Sequence, residues 1–205
     1  MGMRSSGQPG FLVLEGMDGT GTTTIAQLVA DGLRGRDLRV CLTAEPTDGP
    51  LGRVLRRHLT GELHLDPFTT ALVFSADRAD HLARTIRPAL ARGEWVVCDR
   101  YLLSTLAYQG AEGVSREAVL AASSGFDVPD LTVVLQAPDE VREQRMSGRE
   151  GRERYEDPGF TDPLRASYEE AIDLLRASGH EIVVLDATAP PEGIAGDVLR
   201  RLDTL

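Results

Sequence analysis

Gly16-Met17-Asp18-Gly19-Thr20-Gly21-Thr22-Thr23-Thr24 sets glycines and hydroxyl side chains between a short apolar run and a helical pattern. Glycines at this spacing let backbone N–H groups turn inward around a polyphosphate, and the N-terminus of the following helix adds a favourable dipole. The segment aligns with a GxxxxGK[ST] phosphate loop, so Gly16, Gly19, Thr20, Gly21, Thr22, Thr23 and Thr24 are candidates to cradle a nucleotide such as ATP. Thr23 takes the position whose hydroxyl ligates Mg2+ in that motif. Thr22 stands where the motif has lysine, so the ammonium that reaches the β- and γ-phosphates is missing. A Gly-rich strand-to-helix turn also arises for packing alone, and this degraded match needs support from other residues.

Further groups could supply it. Asp99 ends the apolar run Trp95-Val96-Val97-Cys98, the place of a Walker B carboxylate that holds Mg2+ directly or through water. A strand-end Asp99-Arg100 pair can equally be a plain salt bridge. Asp18 lies inside the phosphate loop, where a polyphosphate would repel it, so it needs another partner; a local Asx-type turn bond is the plainest one. Phe74 and Arg78 lie one helical turn apart. An isolated Phe is most often core, but an arginine beside it points towards a ligand. Arg149, Arg152 and Arg154, with Glu153 and Tyr155-Glu156, belong to a stretch rich in Arg, Glu and Gly, expected to be exposed and mobile. Charge-rich loops are often merely solvated.

The elements that must position these groups are legible from periodicity. Strands are expected at Phe11–Leu14, Arg39–Thr43, Trp95–Cys98, Leu131–Gln136 and Glu181–Leu185. Helical spacing covers Thr22 to Leu33 and Leu51 to Leu59. Asp66-Pro67 caps and opens a long helix towards Arg92, with a kink before Pro88 and a stop at Gly93. Helix follows again from Pro138, from about Asp162 to Ala177, and at the C-terminus. Alternating strands and helices predict an α/β fold of the P-loop NTPase type, a doubly wound, mainly parallel five-stranded sheet flanked by helices, with ligands at the carboxyl ends of the strands.

At 205 residues, with no internal repeat or linker, one domain spanning 1–205 is expected, with a mobile lid at about 149–160. A net charge of −10 argues against a nucleic-acid footprint. All 22 basic residues are Arg, and neither Lys nor Asn occurs, which suggests a GC-rich coding sequence. No apolar run is long enough to span a bilayer and the start lacks a secretory signal, so no membrane partner is expected and cytoplasm is the default. Cys41 and Cys98 each sit in an apolar run and read as buried core filler rather than a disulfide.

Five segments together resemble the thymidylate kinase family: Asp18 to Thr24; Ala44-Glu45-Pro46-Thr47; Leu72 to His81 with Phe74, Asp77, Arg78 and His81; Asp99-Arg100-Tyr101 through Ser104, Ala107, Tyr108, Gln109 and Gly110 as a turn; and the Arg-bearing lid. Order and spacing match from about Phe11 through Tyr168. The resemblance implies ATP- and Mg2+-dependent phosphorylation of a pyrimidine deoxynucleoside monophosphate, most simply dTMP to dTDP. It implies that Phe74 stacks on the base and Arg78 meets its carbonyl edge, that Glu45, Ser104, Thr105 and Gln109 line the pocket, and that Tyr108 lies under the sugar. Asp18 would take the 3′-hydroxyl, Arg100 the acceptor phosphate, Thr23 and Asp99 the metal, and Arg149 and Arg154 the transferring phosphoryl group. A homodimer is also implied. Thr22 and Ala44, where many members carry arginine, depart from the pattern. They leave open a kinase of another monophosphate in a specialised pathway, or a nucleotide-binding relative without catalysis.

Overall fold

Alternation along β1 (Phe11–Gly16) sends Phe11 and Val13 into one apolar cluster and Leu12 and Leu14 into another, so the strand must be covered on both faces. The computed structural model describes residues 9–147 and 158–205. Strands β1, β2 (Val40–Ala44), β3 (Trp95–Asp99), β4 (Leu131–Gln136) and β5 (Ile182–Asp186) form one sheet in the order β2-β3-β1-β4-β5, each pairing parallel. The central strands are buried almost throughout, whereas the edge strands β2 and β5 are half-exposed. That edge position corrects one expectation: Cys41 is only partly buried, while Cys98 is fully so, and both thiols are free.

Helices α1 (Thr22–Arg34) and α9 (Pro191–Leu202) cover the Leu12 face. The Phe11 face is covered by α3 (Pro67–His81), α5 (Leu102–Ala111) and α8 (Pro158–Ala177). Shorter helices complete the chain: α2 (Pro50–Leu59), α4 (Arg87–Ala91), α6 (Arg116–Ala122) and α7 (Asp139–Met146). Asp66 caps α3 as expected, its carboxylate accepting from the Phe68 and Thr69 N–H groups. The expected kink before Pro88 is a π-helical turn, Leu82–Ile86, that separates α3 from α4. Pro88 has no N–H to give and its ring crowds the carbonyl four residues back, and the wider turn relieves both.

Two expectations are corrected. The stretch from Leu102 to Ala111, read as part of a turn, is helix α5, and α6 lies in a span for which no element was expected. Helix α8 starts at Pro158 rather than near Asp162 and carries Pro163 within it, so residues 158–160, expected in the lid, are helical. No helix among the described residues is long and apolar enough to cross a membrane.

Candidate active site

The carboxyl ends of β1 and β3 lie side by side, with Leu14 opposite Asp99 in the register. The loop after β1 therefore faces the end of β3 across the sheet edge where ligands bind in open α/β folds. The backbone of that loop explains its glycines. Gly19 has φ +84°, and a Cβ there would come within 2.7 Å of the Arg142 carbonyl oxygen; Gly21, at φ +92°, starts helix α1 in the left-handed region. Thr20 closes the turn by donating its hydroxyl to the Met17 carbonyl at 2.8 Å. From outside, Arg142 Nε donates to the Asp18 carbonyl at 2.8 Å, and Arg145 reaches the Thr20 and Ala187 carbonyls at 3.3 and 2.9 Å. With these carbonyls held outward, the loop N–H groups can turn inward, apart from that of Thr20, which donates to the Met17 carbonyl at 3.2 Å. Thr22, in the lysine position, is buried.

A cleft of about 470 Å3 opens beside the loop. Asp18, Gly19, Gly21, Thr22, Thr23 and Thr24 form its loop wall, and Glu45, Phe74, Arg78, Asp99, Arg100, Ser104, Thr105, Tyr108 and Gln109 line the rest. Gly16 and Thr20 sit behind the loop, facing a separate cavity towards α8. Phe74 is half-buried on the cleft wall and does not belong to either apolar core cluster. Arg149, Arg152 and Arg154 lie outside the described residues.

Three networks hold the cleft. In the first, Thr23 Oγ1 donates to Asp99 Oδ2 at 2.5 Å, while Asp99 Oδ1 is buried with no protein partner. A buried carboxylate oxygen left without a donor is costly, and a hard cation suits it. No group of three or more His, Cys, Asp or Glu side chains among the described residues could hold a metal. The Asp99 carboxylate with its unpartnered oxygen beside the Thr23 hydroxyl fits Mg2+, which takes one or two carboxylates and completes its shell with water and phosphates.

In the second, Arg100 pairs not with its chain neighbour but with Asp18, Nη2 to Oδ1 at 2.6 Å, and Tyr108 Oη donates to Asp18 Oδ2 at 3.0 Å. No plain Asp99–Arg100 pair forms, and Asp18 is turned towards the cleft by partners distant in the chain. Arg100 has φ +72°, a strained value for a side-chain-bearing residue. Its Nη1 donates to the Gly16 carbonyl at 2.8 Å and to Ser104 Oγ at 3.1 Å. Burial holds the Tyr108 and Tyr168 hydroxyls well above the usual phenol range despite the nearby Arg100 cation, so both stay neutral donors.

In the third, Arg78 is 1% exposed, with Nε donating to Glu45 Oε2 at 2.8 Å and Nη2 to Thr105 Oγ1 at 2.9 Å. Its guanidinium carbon stands 4.9 Å from the centroid of the Tyr101 ring. Its Nη1 is buried without a protein partner, and Arg78 is one of the residues that line the cleft. Glu45 Oε1 meets His81 Nδ1 at 3.0 Å, and the other ring nitrogen of His81 meets Thr43 Oγ1 at 2.7 Å. Asp77 fixes the segment after Glu45 by accepting from Thr47 N and Oγ1 at 2.8 and 2.6 Å.

Several of these residues carried no role in the sequence reading: Glu15, Asp77, His81, Arg142, Arg145 and Tyr168. A signal existed for Glu15, because an acid at an inward position of an apolar strand must find buried partners. Burial pushes its carboxyl up to about 7, against the opposing pulls of the Ser104 hydroxyl, the Arg100 charge and two backbone N–H groups.

A parallel sheet with its phosphate loop after β1, a threonine-bound carboxylate at the end of β3 and an arginine-lined cleft beside both defines a phosphate-loop nucleoside monophosphate kinase. Within that class the chain belongs to the thymidylate kinase family, whose model matches residues 14–198. It is 39% identical over 188 residues to a probable thymidylate kinase of Pyrobaculum aerophilum, covering 92% of this chain and 93% of that protein. A thymidylate kinase of Thermomicrobium roseum is 40% identical over 196 residues, 92% of this chain and 91% of the relative. Another from Bradyrhizobium diazoefficiens is 36% identical over 208 residues, 95% and 89% respectively.

Proposed function

We propose that the protein transfers the terminal phosphoryl group of ATP to dTMP, giving dTDP. The observation that carries the acceptor's identity is Arg78: a guanidinium fixed on two sides keeps its Nη1 unpartnered, and the residue lines the cleft together with half-buried Phe74. An aromatic face with a rigid donor at its edge suits a flat base bearing a carbonyl, and Thr105 and Gln109 complete that wall. Asp18 takes the sugar 3′-hydroxyl, Tyr108 lies under the sugar, and Arg100 binds the acceptor phosphate.

A phosphate oxygen is already ionised at neutral pH, so the acceptor needs no general base. What the chain supplies is alignment and charge. Arg100 and Asp18 place the acceptor, and the loop N–H groups hold the donor phosphates in line. Asp99 and Thr23 would hold Mg2+, whose charge offsets that of the phosphates. Arg149 and Arg154 are assigned to the transferring group, in a lid over a single domain. Thr22 withholds a cation from the β/γ bridge, and loss of one such donor costs about a hundred- to thousand-fold in rate. A cytoplasmic homodimer belongs to the same proposal, and the dimer is supported by Phe68 and Leu72, one turn apart on α3 and 49% and 43% exposed, which suit a helix-to-helix contact.

The reading is tested by incubating the protein with ATP, Mg2+ and dTMP and separating nucleotides by chromatography. Equal amounts of dTDP and ADP are expected, and ADP without dTDP would overturn it.

A further inference from the structure

Strand β1 runs on the Phe11 and Val13 side into Glu15, a fully buried carboxylate that lies beneath the cleft without lining it. A charge so placed must be saturated with donors. Oε1 accepts from the Tyr101 N–H at 2.8 Å and the Ser104 N–H at 3.2 Å. These are the cap and third-residue amides of α5, and Tyr101 offers no side-chain cap of its own. A strand carboxylate thus does for α5 what a capping box does within one helix. Oε2 accepts from Ser104 Oγ at 2.5 Å.

The second contact has a consequence for polarity. A serine hydroxyl has one hydrogen. Given to Glu15, it leaves Ser104 Oγ facing Arg100 Nη1, 3.1 Å away, as an acceptor only. The Tyr168 hydroxyl completes the arrangement: its hydrogen goes to the Gly16 carbonyl at 2.9 Å, and its oxygen accepts from the same Arg100 nitrogen at 3.3 Å. The direction of the Ser104–Arg100 bond traces back to the Glu15 carboxylate, and that of Tyr168 to the Gly16 carbonyl.

We propose that Glu15 is a positioning residue for the acceptor phosphate: by taking the Ser104 hydroxyl proton it makes Ser104 an acceptor for Arg100 and fixes the guanidinium that binds that phosphate. The inference rests on the role given to Arg100 under the proposed function. An amide in place of the carboxylate would keep the size of Glu15 and still accept from the two N–H groups. It would turn an NH2 towards Ser104, so that the serine hydrogen swings round to oppose Arg100.

The test uses the whole protein at about pH 8, above the titration of Glu15. Calorimetry measures the affinity for dTMP, for thymidine and for ATP with Mg2+, in the wild type and in Glu15→Gln, Ser104→Ala and the double variant. Loss of one hydrogen bond to a charged group corresponds to roughly ten- to hundredfold. Glu15→Gln is expected to weaken dTMP by that factor, leave thymidine and ATP within about twofold, and add little on the Ser104→Ala background. A residue that merely supports α5 would weaken thymidine as much as dTMP and would act undiminished without Ser104, and either result overturns the inference. Should Glu15→Gln fail to fold, Ser104→Ala decides, with unchanged dTMP affinity as the overturning result. Failure of the wild type to bind dTMP would instead overturn the proposed function.

Discussion

Replacing Arg78 by methionine puts the third network under the sharpest strain. The Arg78–Glu45 pair stands at 2.8 Å with side chains 1% and 2% exposed, so removing the guanidinium leaves the Glu45 carboxylate out of water with His81 as its remaining side-chain partner. Breaking a buried pair from one side costs about 3–5 kcal/mol. In a chain of this size each kcal/mol lowers the melting temperature by about 2–4 °C, so Arg78→Met should melt roughly 6–20 °C below the wild type. Adding Glu45→Gln removes the stranded charge. It should return part of the loss, with a coupling of about 1–3 kcal/mol between the two sites. Scanning calorimetry on the wild type, both single variants and the double variant completes the cycle. A fall of under about 2 °C for Arg78→Met, or a double variant melting no higher than the single, would refute the claim that this pair is a desolvated charge pair holding the base-side wall.

Thr22→Lys should raise kcat, by up to a hundredfold or more, because it restores a cation at the bridge between the β- and γ-phosphates; a fall in steady-state kcat would mean that another cation already fills that space. Asp99→Ala should abolish the gain in ATP affinity that Mg2+ brings, leaving metal-free binding unchanged, and titration with and without the ion reads both. Tyr108→Ala should increase the use of ribonucleotide relative to deoxyribonucleotide, since it opens the space under the sugar and frees Asp18, and an unchanged ratio of kcat/KM values would count against that placement. Folding stability should depend on Glu15: its carboxyl sits at about 7 rather than the ordinary 4.5, so the folded state holds the proton more tightly than the unfolded one. That contribution is full below about pH 4.5 and is lost as pH rises through 7, an effect of about 3 kcal/mol. Urea unfolding at acid and alkaline pH should show the wild type losing most of that stability relative to Glu15→Gln, and parallel curves would refute it.

The fold was readable because its strands are short apolar runs closed by turn residues, and a parallel sheet buried on both faces demands that pattern. Strand bounds followed within a residue or two, whereas the order β2-β3-β1-β4-β5 was not read from the sequence. Helix α5 was harder to read. Its residues face the core, α8 and the cleft at once, so they show no clean apolar stripe, and Tyr101 is not a capping residue; the cap comes from Glu15, 86 positions earlier. The cleft residues were found through their motifs, yet motif and spacing could not say how Arg100 and Asp18 meet, because that contact joins two loops 82 positions apart. Nor could they give Arg142 a part, since α7 has almost no apolar residue and its value lies in reaching the loop carbonyls.

The central claim is that the cleft beside the lysine-less loop selects a thymine base for phosphorylation. Its most direct test is the ratio of kcat/KM across dTMP, dUMP, dCMP, dAMP, dGMP and UMP, with ATP and Mg2+ held constant and diphosphate quantified by chromatography. A base-side wall built on Phe74 and on Arg78 with its unpartnered Nη1 predicts dTMP first, dUMP behind it and the purines far below. Equal turnover of all six, or a purine ahead of dTMP, would contradict it.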